Sequence, residues 1–375
     1  MSAESVPDVV VVGGGVIGLS IAYFLSQRGA TVTVLDQSQP GQEASWAGAG
    51  MLPPGNLERA QDAAARLRAF SHQRWRSFSA ELRELTGIDN GYLESAGLEL
   101  GFSGEGDRLR EETEGWISEG VVLERLTPLD LQSLEPALSP EIRHAYRLPG
   151  FAQVRNPRHL KALILACELR KVRIVAGAPV MQFDTDMNSS GEGRILAART
   201  ANERFPGSQF VIAGGAWTGG LTRQLHVEIP VRPVRGQIVL LSAVPLPFKH
   251  ILNNGARYLV PRADGRILIG ATEEEVGFDK RNTVEGVAGL LQFAQRLVPE
   301  LARAKLERTW SGLRPGSPNG NPFLSRLPRH ANGYVAAGHF RAGLQLSVAT
   351  GELMAQLITT GTTAISLEEF RVKMS

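Results

Sequence analysis

The first forty residues alternate between strand-like and helix-like patterns. Val9–Val12 is an unbroken β-branched run, which is typical of a strand buried on both faces of a parallel sheet. After three glycines, apolar residues recur at helical spacing over 17–25, and Gly29 stands where such a helix ends. A second apolar run, 31–35, predicts another strand that ends at Asp36. Together these segments form one complete βαβ unit.

The same two patterns recur along the rest of the chain. They predict helices over 57–85, 158–170, 284–297 and 343–358, and strands over 93–102, 172–175, 180–183, 194–198, 209–213, 236–241, 257–260, 266–271 and 334–337. The turn 188–191 predicts a hairpin between two of these strands. Parallel-sheet patterns stand at the start, middle and end of the chain, with antiparallel-looking strands between them. We therefore expect an α/β fold in which a Rossmann-type domain is assembled from separated segments.

Composition excludes several classes of protein. Of 375 residues, 43% are apolar, which is enough for a large core, and 40 basic against 38 acidic side chains favour neither a nucleic-acid nor an anionic-membrane partner. Cys167 is the single cysteine, and its place in a helical pattern predicts a buried, inert thiol. The histidines have no metal-site spacing, so we expect no metal. The segment 1–8 lacks the basic residues of an export signal and no apolar run could span a bilayer, which predicts a soluble, cytoplasmic protein.

A glycine motif marks the first strand-to-helix turn. In Gly13-x-Gly15-x-x-Gly18 the first glycine permits the tight turn, the second lets the backbone approach a pyrophosphate, and the third allows close helix–strand packing. Asp36, at the end of the second strand, is placed to accept hydrogen bonds from a ribose diol. This context predicts a dinucleotide site, against the alternative of a glycine turn in an unliganded domain. The motif alone does not separate FAD from NAD.

Three further segments favour a flavin. Residues 44–52 are mostly small and suit close contact with a flat ring system, and 211–218 repeat the strand-to-glycine arrangement. Residues 338–344 end a strand and open the last helix, whose N-terminal dipole would stabilise negative charge on a reduced flavin.

These segments and several others resemble the D-amino-acid oxidase superfamily, and within it the glycine oxidases of the ThiO type associated with thiazole biosynthesis. The resemblance covers nearly the whole chain and includes Ala49-Gly50-Met51-Leu52, Tyr258-Leu259-Val260-Pro261-Arg262, Gly270-Ala271-Thr272, Gly312-Leu313-Arg314-Pro315-Gly316 and Gly338-His339-Phe340-Arg341. It implies a noncovalent FAD and a homo-oligomer. It also implies an FAD-binding domain of residues 1–85, 152–228 and 312–375, interleaved with a smaller α+β substrate domain of 86–151 and 229–311 that contains an antiparallel sheet.

The resemblance also assigns the residues expected to bind FAD. They are Gly13, Gly15, Val16, Ile17, Gly18, Asp36, Gln37, Ala44, Ser45, Ala49, Gly50, Met51, Val180, Gly214, His339, Phe340, Arg341, Ala342, Gly343, Leu344 and Gln345. Two positions depart from the family pattern, because Asp36 stands where many relatives carry glutamate and Trp46 is bulkier than expected.

Three side chains are expected to bind a substrate carboxylate. Arg314 offers a planar fork of donors, in a loop that Pro315 would stiffen; the alternative is a surface ion pair. Arg341 is expected to assist it or else to brace the last helix, and Tyr258 either joins the same carboxylate or ends a strand in solvent. His339 is expected to donate to a flavin or backbone group rather than to act as a base. No protein residue is expected to be catalytic, since the resemblance implies hydride transfer to flavin N5.

The implied reaction is oxidative deamination of glycine, sarcosine or a small D-amino acid, with dioxygen as acceptor and hydrogen peroxide as product. Two alternatives remain open at this point: a D-amino-acid dehydrogenase with another electron acceptor, and a flavin-binding subunit without catalysis.

Two minor expectations concern the surface. Glu273-Glu274-Glu275 has the composition of a solvated turn, and Asn156 is expected to cap the helix that Pro157 begins.

Overall fold

The protein is built around two large β-sheets, seen in a computed structural model that describes residues 6–373. Residues 1–5, which make up most of the segment that is expected not to be an export signal, lie outside the described residues. The strands are β1 Val9–Val12, β2 Val32–Leu35, β3 Met51–Leu52, β4 Leu93–Glu94, β5 Gly97–Phe102, β6 Glu124–Leu126, β7 Ile142–Leu148, β8 Ala152–Gln153, β9 Arg173–Val175, β10 Gln182–Met187, β11 Gly193–Arg199, β12 Arg204–Pro206, β13 Gln209–Ile212, β14 Arg232–Ser242, β15 Ile251–Asn254, β16 Arg257–Pro261, β17 Arg266–Gly270, β18 Lys305–Gly316, β19 Phe323–Arg326 and β20 Gly333–Ala337. The α-helices are α1 Val16–Gln27, α2 Ala44–Ala47, α3 Ala63–Thr86, α4 Gly106–Ser118, α5 Pro128–Leu134, α6 Asn156–Leu169, α7 Thr218–Arg223, α8 Val284–Leu297 and α9 Gly343–Thr360.

The first large sheet has six strands in the order β19-β20-β13-β1-β2-β9. All neighbours are parallel except the pair β19–β20, so β1, β2 and β13 end at the same edge. The second sheet has eight strands in the order β18-β14-β17-β16-β15-β5-β7-β6 and is antiparallel apart from the pair β15–β5. The α/β fold with an added antiparallel sheet is therefore confirmed.

Alternate residues of β1 enter two different cores. Val9 and Val11 pack among the helices α1, α3, α6 and α9, whereas Val10 and Val12 pack against the small antiparallel sheet β10–β12. Burial on both faces is why this strand is a continuous apolar run.

The eight-stranded sheet also has two different faces. One is covered by α8, whose Leu290 and Phe293 pack on Val239 and Ile269. The other carries Ile238, Val260 and Leu268 and packs toward Ala49 and Met51. This second face therefore approaches the edge where the parallel strands end, and the two large sheets meet there.

Three local expectations are wrong, and one long strand was missed. The helix expected from 57 begins at Ala63, because the side chain of Asp62 accepts a hydrogen bond from the backbone N–H of Ala65 and caps it. The strand expected over 93–102 is interrupted at Ala96, whose φ is 56°. Asn156 is not a cap: it is the first residue of α6, and its side-chain amide donates to the Ser45 carbonyl oxygen at 2.7 Å. The long strand β18 was not predicted at all, and it runs across the expected domain boundary at residue 312.

Cys167 lies where its pattern placed it. Its side chain is fully buried in α6, and burial raises the pKa of the thiol to about 12.

Over residues 6–373, the structure contains no group of three or more His, Cys, Asp or Glu side chains suited to a metal ion. No helix in that range has the length and hydropathy needed to cross a membrane.

A buried histidine makes the fold sensitive to acid. His159 is fully buried against Trp75, and burial lowers the pKa of its imidazole to about 3. The unfolded chain therefore binds the extra proton and the native fold resists it, so this contribution to stability is complete above about pH 6.5 and declines as the pH falls. Between pH 6.5 and pH 5 we expect His159 alone to lower the free energy of unfolding by about 2 kcal/mol.

Urea unfolding of the wild type and of His159→Gln at several pH values checks this. The difference between the two proteins at pH 7 measures the packing cost of the substitution, and its change toward pH 5 measures the titration. A His159→Gln protein that loses as much stability as the wild type over this range would show that the acid sensitivity has another source.

Candidate active site

A cavity of about 650 Å³ lies where the two sheets meet. It is lined by all but one of the residues expected to bind FAD or substrate, namely Gly13, Gly15, Val16, Ile17, Asp36, Gln37, Ala44, Ser45, Ala49, Gly50, Met51, Val180, Gly214, Tyr258, Arg314, His339, Phe340, Arg341, Ala342, Gly343, Leu344 and Gln345. The exception is Gly18, which is buried in α1. The structure thus brings segments from the start, middle and end of the chain to one place.

The three motif glycines meet three different steric demands. Gly13 has φ of +113°, and a Cβ atom there would lie 2.2 Å from the Ala213 carbonyl oxygen. A Cβ on Gly18 would lie 1.9 Å from the Gly13 carbonyl oxygen, so this glycine serves the packing of α1 on its own strand. At Gly15 the sole neighbour of a Cβ among the described residues would be the Ser45 hydroxyl oxygen, at 3.2 Å. Gly15 therefore leaves open space at the N-terminus of α1, which suits a pyrophosphate group.

Asp36 is held firmly at the end of β2. One carboxylate oxygen accepts from the Gly14 N–H at 2.7 Å, and the other accepts from the Ser38 N–H at 2.8 Å. The second oxygen also accepts from the Ser38 hydroxyl at 3.3 Å, so the oxygen bound to Gly14 is the one that keeps a further acceptor site. The aspartate side chain, which is shorter than the glutamate of many relatives, thus supports the glycine turn. It also faces the cavity where a ribose is expected.

Residues 49–51 are positioned by a buried arginine. Arg262 is 6% exposed, and its guanidinium donates to the Ala49 carbonyl oxygen at 2.6 Å and to the Val154 carbonyl oxygen at 3.0 Å. Burial lowers the pKa of Arg262 to about 10, which leaves it charged at neutral pH. Trp46, which is bulkier than the family pattern leads one to expect, does not narrow the cavity beside residues 49–51. Its ring packs edge-on against Trp310, and Trp46 is not among the described residues that line the cavity.

The opposite wall is the start of α9. His339 is 1% exposed, and its Nε2 lies 3.0 Å from the Thr350 hydroxyl oxygen. Burial lowers the pKa of His339 to about 3, so the ring is neutral. The carbonyl oxygen of Gln345 accepts from the indole N–H of Trp75 at 2.8 Å, which ties the first turn of α9 to α3. The N-terminal end of this helix dipole faces the cavity.

Arg314 lies in a strand and not in the expected loop. It belongs to β18, where it pairs with Val234 of β14, and the following Pro315 faces Pro233. A strand accepts proline where the partner does not need its missing N–H. The side chain of Arg314 donates to the Thr272 carbonyl oxygen at 3.0 Å, and no carboxylate in residues 6–373 forms an ion pair with it. It is therefore an uncompensated cation at the cavity wall, and the expected alternative of a surface ion pair does not occur.

Two strand glycines make room for the polar groups of this wall. A Cβ on Gly236 would lie 2.4 Å from the guanidinium nitrogens of Arg314, and a Cβ on Gly270 would lie 2.4 Å from the hydroxyl oxygen of Tyr258. Burial raises the pKa of the Tyr258 phenol, and the nearby Arg314 guanidinium partly offsets the rise. Tyr258 and Arg314 are thus neighbours, each lying over a glycine of the eight-stranded sheet.

The three consecutive glutamates are not all solvated. Glu274 accepts hydrogen bonds from the buried Arg235 and from the Gln237 side-chain amide, the latter at 2.7 Å. Glu273 lines the cavity and forms an ion pair with Arg341, whose Nε donates to it at 2.9 Å. Glu273 and Glu275 are both exposed, and Glu275 is paired with Arg232, so the expectation of a solvated turn is wrong for Glu274.

Sequence reasoning missed four residues of the site. Gly236, Gly270, Thr272 and Glu273 all line or support the wall that carries Arg314. A glycine inside an otherwise apolar strand marks a close approach of another group, and this signal was present at Gly236 and Gly270. Nothing comparable in the sequence distinguishes Glu273 from the glutamates beside it.

The fold and the cavity define the class of protein: a parallel sheet with a glycine turn at the N-terminus of α1 is a dinucleotide-binding fold, and here an arginine lies at the cavity wall. The model of a family described as FAD dependent oxidoreductase, DAO, matches residues 8–357. The chain belongs to this family, which confirms the predicted family resemblance, FAD as the cofactor and the assignment as an FAD-dependent amino-acid oxidase.

Within the family, the chain is similar to glycine oxidases. It is 34% identical to the glycine oxidase of Pseudomonas putida over 358 residues, or 94% of each chain. The crystal structure of glycine oxidase from Geobacillus kaustophilus superposes with a TM-score of 0.92 at 32% identity, covering 99% of this chain and 100% of that one. The bifunctional protein ThiO/ThiG of Trichormus variabilis is 33% identical over 94% of this chain, which spans 52% of that longer protein.

Proposed function

We propose that the protein oxidises glycine and related small amino acids, sarcosine and small D-amino acids among them, and that it serves thiazole formation in thiamine biosynthesis. One substrate C–H bond and one N–H bond are lost to give the imine, which water converts to the 2-oxo acid and ammonia, or methylamine in the case of sarcosine. Dioxygen takes up the two electrons and two protons and leaves as hydrogen peroxide. The names of the similar proteins, glycine oxidase and ThiO/ThiG, support this choice of substrate and pathway.

The observation that carries the proposal is the unpaired Arg314 beside Tyr258. A guanidinium with no carboxylate partner within the described part of the chain is suited to receive one from a ligand. Its donor to the Thr272 carbonyl fixes one edge of the group and leaves the other edge toward the cavity. We propose that Arg314 binds the substrate carboxylate, that the Tyr258 hydroxyl donates to the same group, and that Arg341 assists.

The remaining cavity residues would hold the cofactor. We propose that the glycine turn and Ser45 receive the pyrophosphate, that Asp36 receives the ribose, and that residues 49–51 and 339–345 flank the flavin. When bound, FAD supplies the two-electron acceptor for the substrate's α-C–H bond. The chain itself then has to bind the carboxylate and orient the α-carbon. We do not expect His339 to act as a base, since burial lowers the pKa of its imidazole to about 3 and its Nε2 is hydrogen-bonded to the Thr350 hydroxyl. Orientation of this kind contributes most of the rate enhancement in such a site.

Two units divide these roles between them. We propose an FAD-binding unit of residues 1–85, 152–228 and 312–375 and a substrate-binding unit of 86–151 and 229–311, within a homo-oligomer. The separate cores of the two large sheets support this division.

A substrate panel tests the proposed function. The purified holoenzyme is mixed without oxygen with glycine, sarcosine, D-alanine and L-alanine, and loss of flavin absorbance is followed by stopped flow. We expect the absorbance to fall with glycine, sarcosine and D-alanine and not with L-alanine, and to return with peroxide formation when oxygen is admitted. Reduction that reverses only with an artificial acceptor would instead identify a dehydrogenase, and a flavin that no amino acid reduces would identify a non-catalytic subunit.

A further inference from the structure

One charged group in the cavity has no part in the proposed reaction. Glu273 lines the cavity and accepts from two guanidinium nitrogens of Arg341, Nε at 2.9 Å and Nη2. Their side chains are 41% and 52% exposed, so water and substrate reach both. Arg341 is one of the three residues expected to bind the substrate carboxylate, yet its guanidinium already forms an ion pair with the Glu273 carboxylate.

The backbone beside Glu273 is fixed to the sheet. The N–H of Glu274 donates to the Arg235 carbonyl oxygen at 3.0 Å, and the N–H of Arg235 donates to the Glu274 carbonyl oxygen at 2.8 Å. The Thr272 hydroxyl accepts from the Gln237 N–H at 2.9 Å on the other side. Consecutive side chains of an extended segment point in opposite directions. With Glu274 directed to the buried Arg235, Glu273 is directed to the cavity, so its place there is built into the fold.

The charges of Arg314, Arg341 and Glu273 add up to one positive charge. Arg314 is unpaired, whereas the charge of Arg341 is balanced by Glu273. A single substrate carboxylate matches this net charge. A second carboxylate on the same substrate would have to bind Arg341, where the negative charge of Glu273 repels it.

We propose that Glu273 is a specificity residue, which occupies Arg341 until a substrate carboxylate displaces it and which thereby favours monocarboxylates over dicarboxylates. This inference rests on the proposed function of Arg314 and Arg341 in carboxylate binding. A substrate first meets the unpaired Arg314 and recruits Arg341 only by exchange with Glu273. Glu273 therefore weakens the binding of every carboxylate a little, and of a dicarboxylate most.

Binding of acetate and malonate to the holoenzyme tests this independently of turnover. Both are titrated into the wild type and Glu273→Gln, with the flavin absorbance as one readout and calorimetry as the other. The matched control is Glu275→Gln, because Glu275 is also paired with an arginine, Arg232, but lies on the exposed surface. At low ionic strength we expect Glu273→Gln to lower the Kd of acetate about three- to fivefold and that of malonate at least about tenfold, since partly exposed ion pairs are modest in strength.

Two further measurements separate exchange with Arg341 from a general change of charge. The gain for acetate should shrink toward onefold in about 1 M salt, where the Debye length is about 3 Å. It should also be lost when Glu273→Gln is combined with Arg341→Gln. The Glu275→Gln control should bind both probes like the wild type.

The outcomes distinguish this inference from the proposed function. Equal Kd values for Glu273→Gln and wild type, or an equal malonate-to-acetate ratio, would overturn the specificity role even if glycine is oxidised. Tighter acetate and malonate binding by Glu273→Gln in an enzyme that glycine does not reduce would support Glu273 and refute the proposed substrate. A wild type that binds neither probe would overturn both.

Discussion

Replacing Arg314 with alanine raises the KM for glycine by about two to three orders of magnitude. Truncating one partner of a hydrogen-bonded charge pair costs about 2–5 kcal/mol, and each 1.4 kcal/mol is about tenfold in affinity. The loss is large because Arg314 is the cavity cation that no carboxylate of residues 6–373 balances. The flavin should stay bound with an unchanged absorbance spectrum, since Arg314 belongs to the eight-stranded sheet and not to the glycine turn. Steady-state kinetics over a wide range of glycine concentrations measures the effect.

Two variants on the same sheet make the interpretation specific. Arg308→Ala removes an arginine from the same strand, β18, but Arg308 is exposed and lies over the Trp46 ring, so the KM should not change. Gly236→Ala keeps Arg314 and places a methyl group 2.4 Å from its guanidinium, so the KM should rise without loss of the charge. An unchanged KM for Arg314→Ala would remove this residue from the substrate site.

Replacing Gly15 with alanine should abolish FAD retention while leaving the fold intact. The φ of Gly15 is −73°, which alanine adopts freely, and its new methyl group would meet the Ser45 hydroxyl at 3.2 Å. The methyl group would occupy the space into which a pyrophosphate must come to reach the N–H groups of α1. Loss of one or two charge-assisted hydrogen bonds and of the dipole contact corresponds to about 3 kcal/mol, or a more than hundredfold weaker FAD complex. The ratio of flavin to protein absorbance after gel filtration measures retention.

Gly29→Ala is the matched control. Gly29 has φ of +84°, a methyl group there would meet no atom of the described residues within 4 Å, and it lies at the far end of α1. Its substitution should cost about 1 kcal/mol of stability, because alanine is strained at positive φ, and should leave FAD bound. The two variants therefore separate cofactor binding from folding. A Gly15→Ala protein that purifies fully yellow would refute the pyrophosphate role.

Local interactions explain most of what could be predicted. The order β1-α1-β2, the three glycine positions and the place of Asp36 follow from residues close together in the chain, where apolar spacing and backbone sterics decide the structure. The same holds for α8, which begins and ends at the predicted residues. Failures were also local in part, as at Asp62, whose cap moves the start of α3.

The long-range arrangement could not be predicted in the same way. The first half of β18 is exposed at the sheet edge, so it lacks the apolar alternation by which a strand is recognised, and Pro315 suggested a loop. Without β18 there was no reason to place Arg314 opposite β14, over Gly236 and beside Tyr258. A period-two pattern tells which residues share a face, but it does not tell which strand lies next to it.

The amino-acid sequence by itself determined the dinucleotide turn, the buried parallel strands and, through its motifs, the family to which the chain belongs. Tertiary structure alone decided the ion pairs of the site. Arg314 has no carboxylate partner within residues 6–373, whereas Arg341 forms an ion pair with Glu273 and Arg235 forms one with Glu274. The physical reason is that charge pairing depends on distances between side chains from strands far apart in the chain. Those distances are set by sheet register and by the packing of one sheet against the other, which no local pattern encodes.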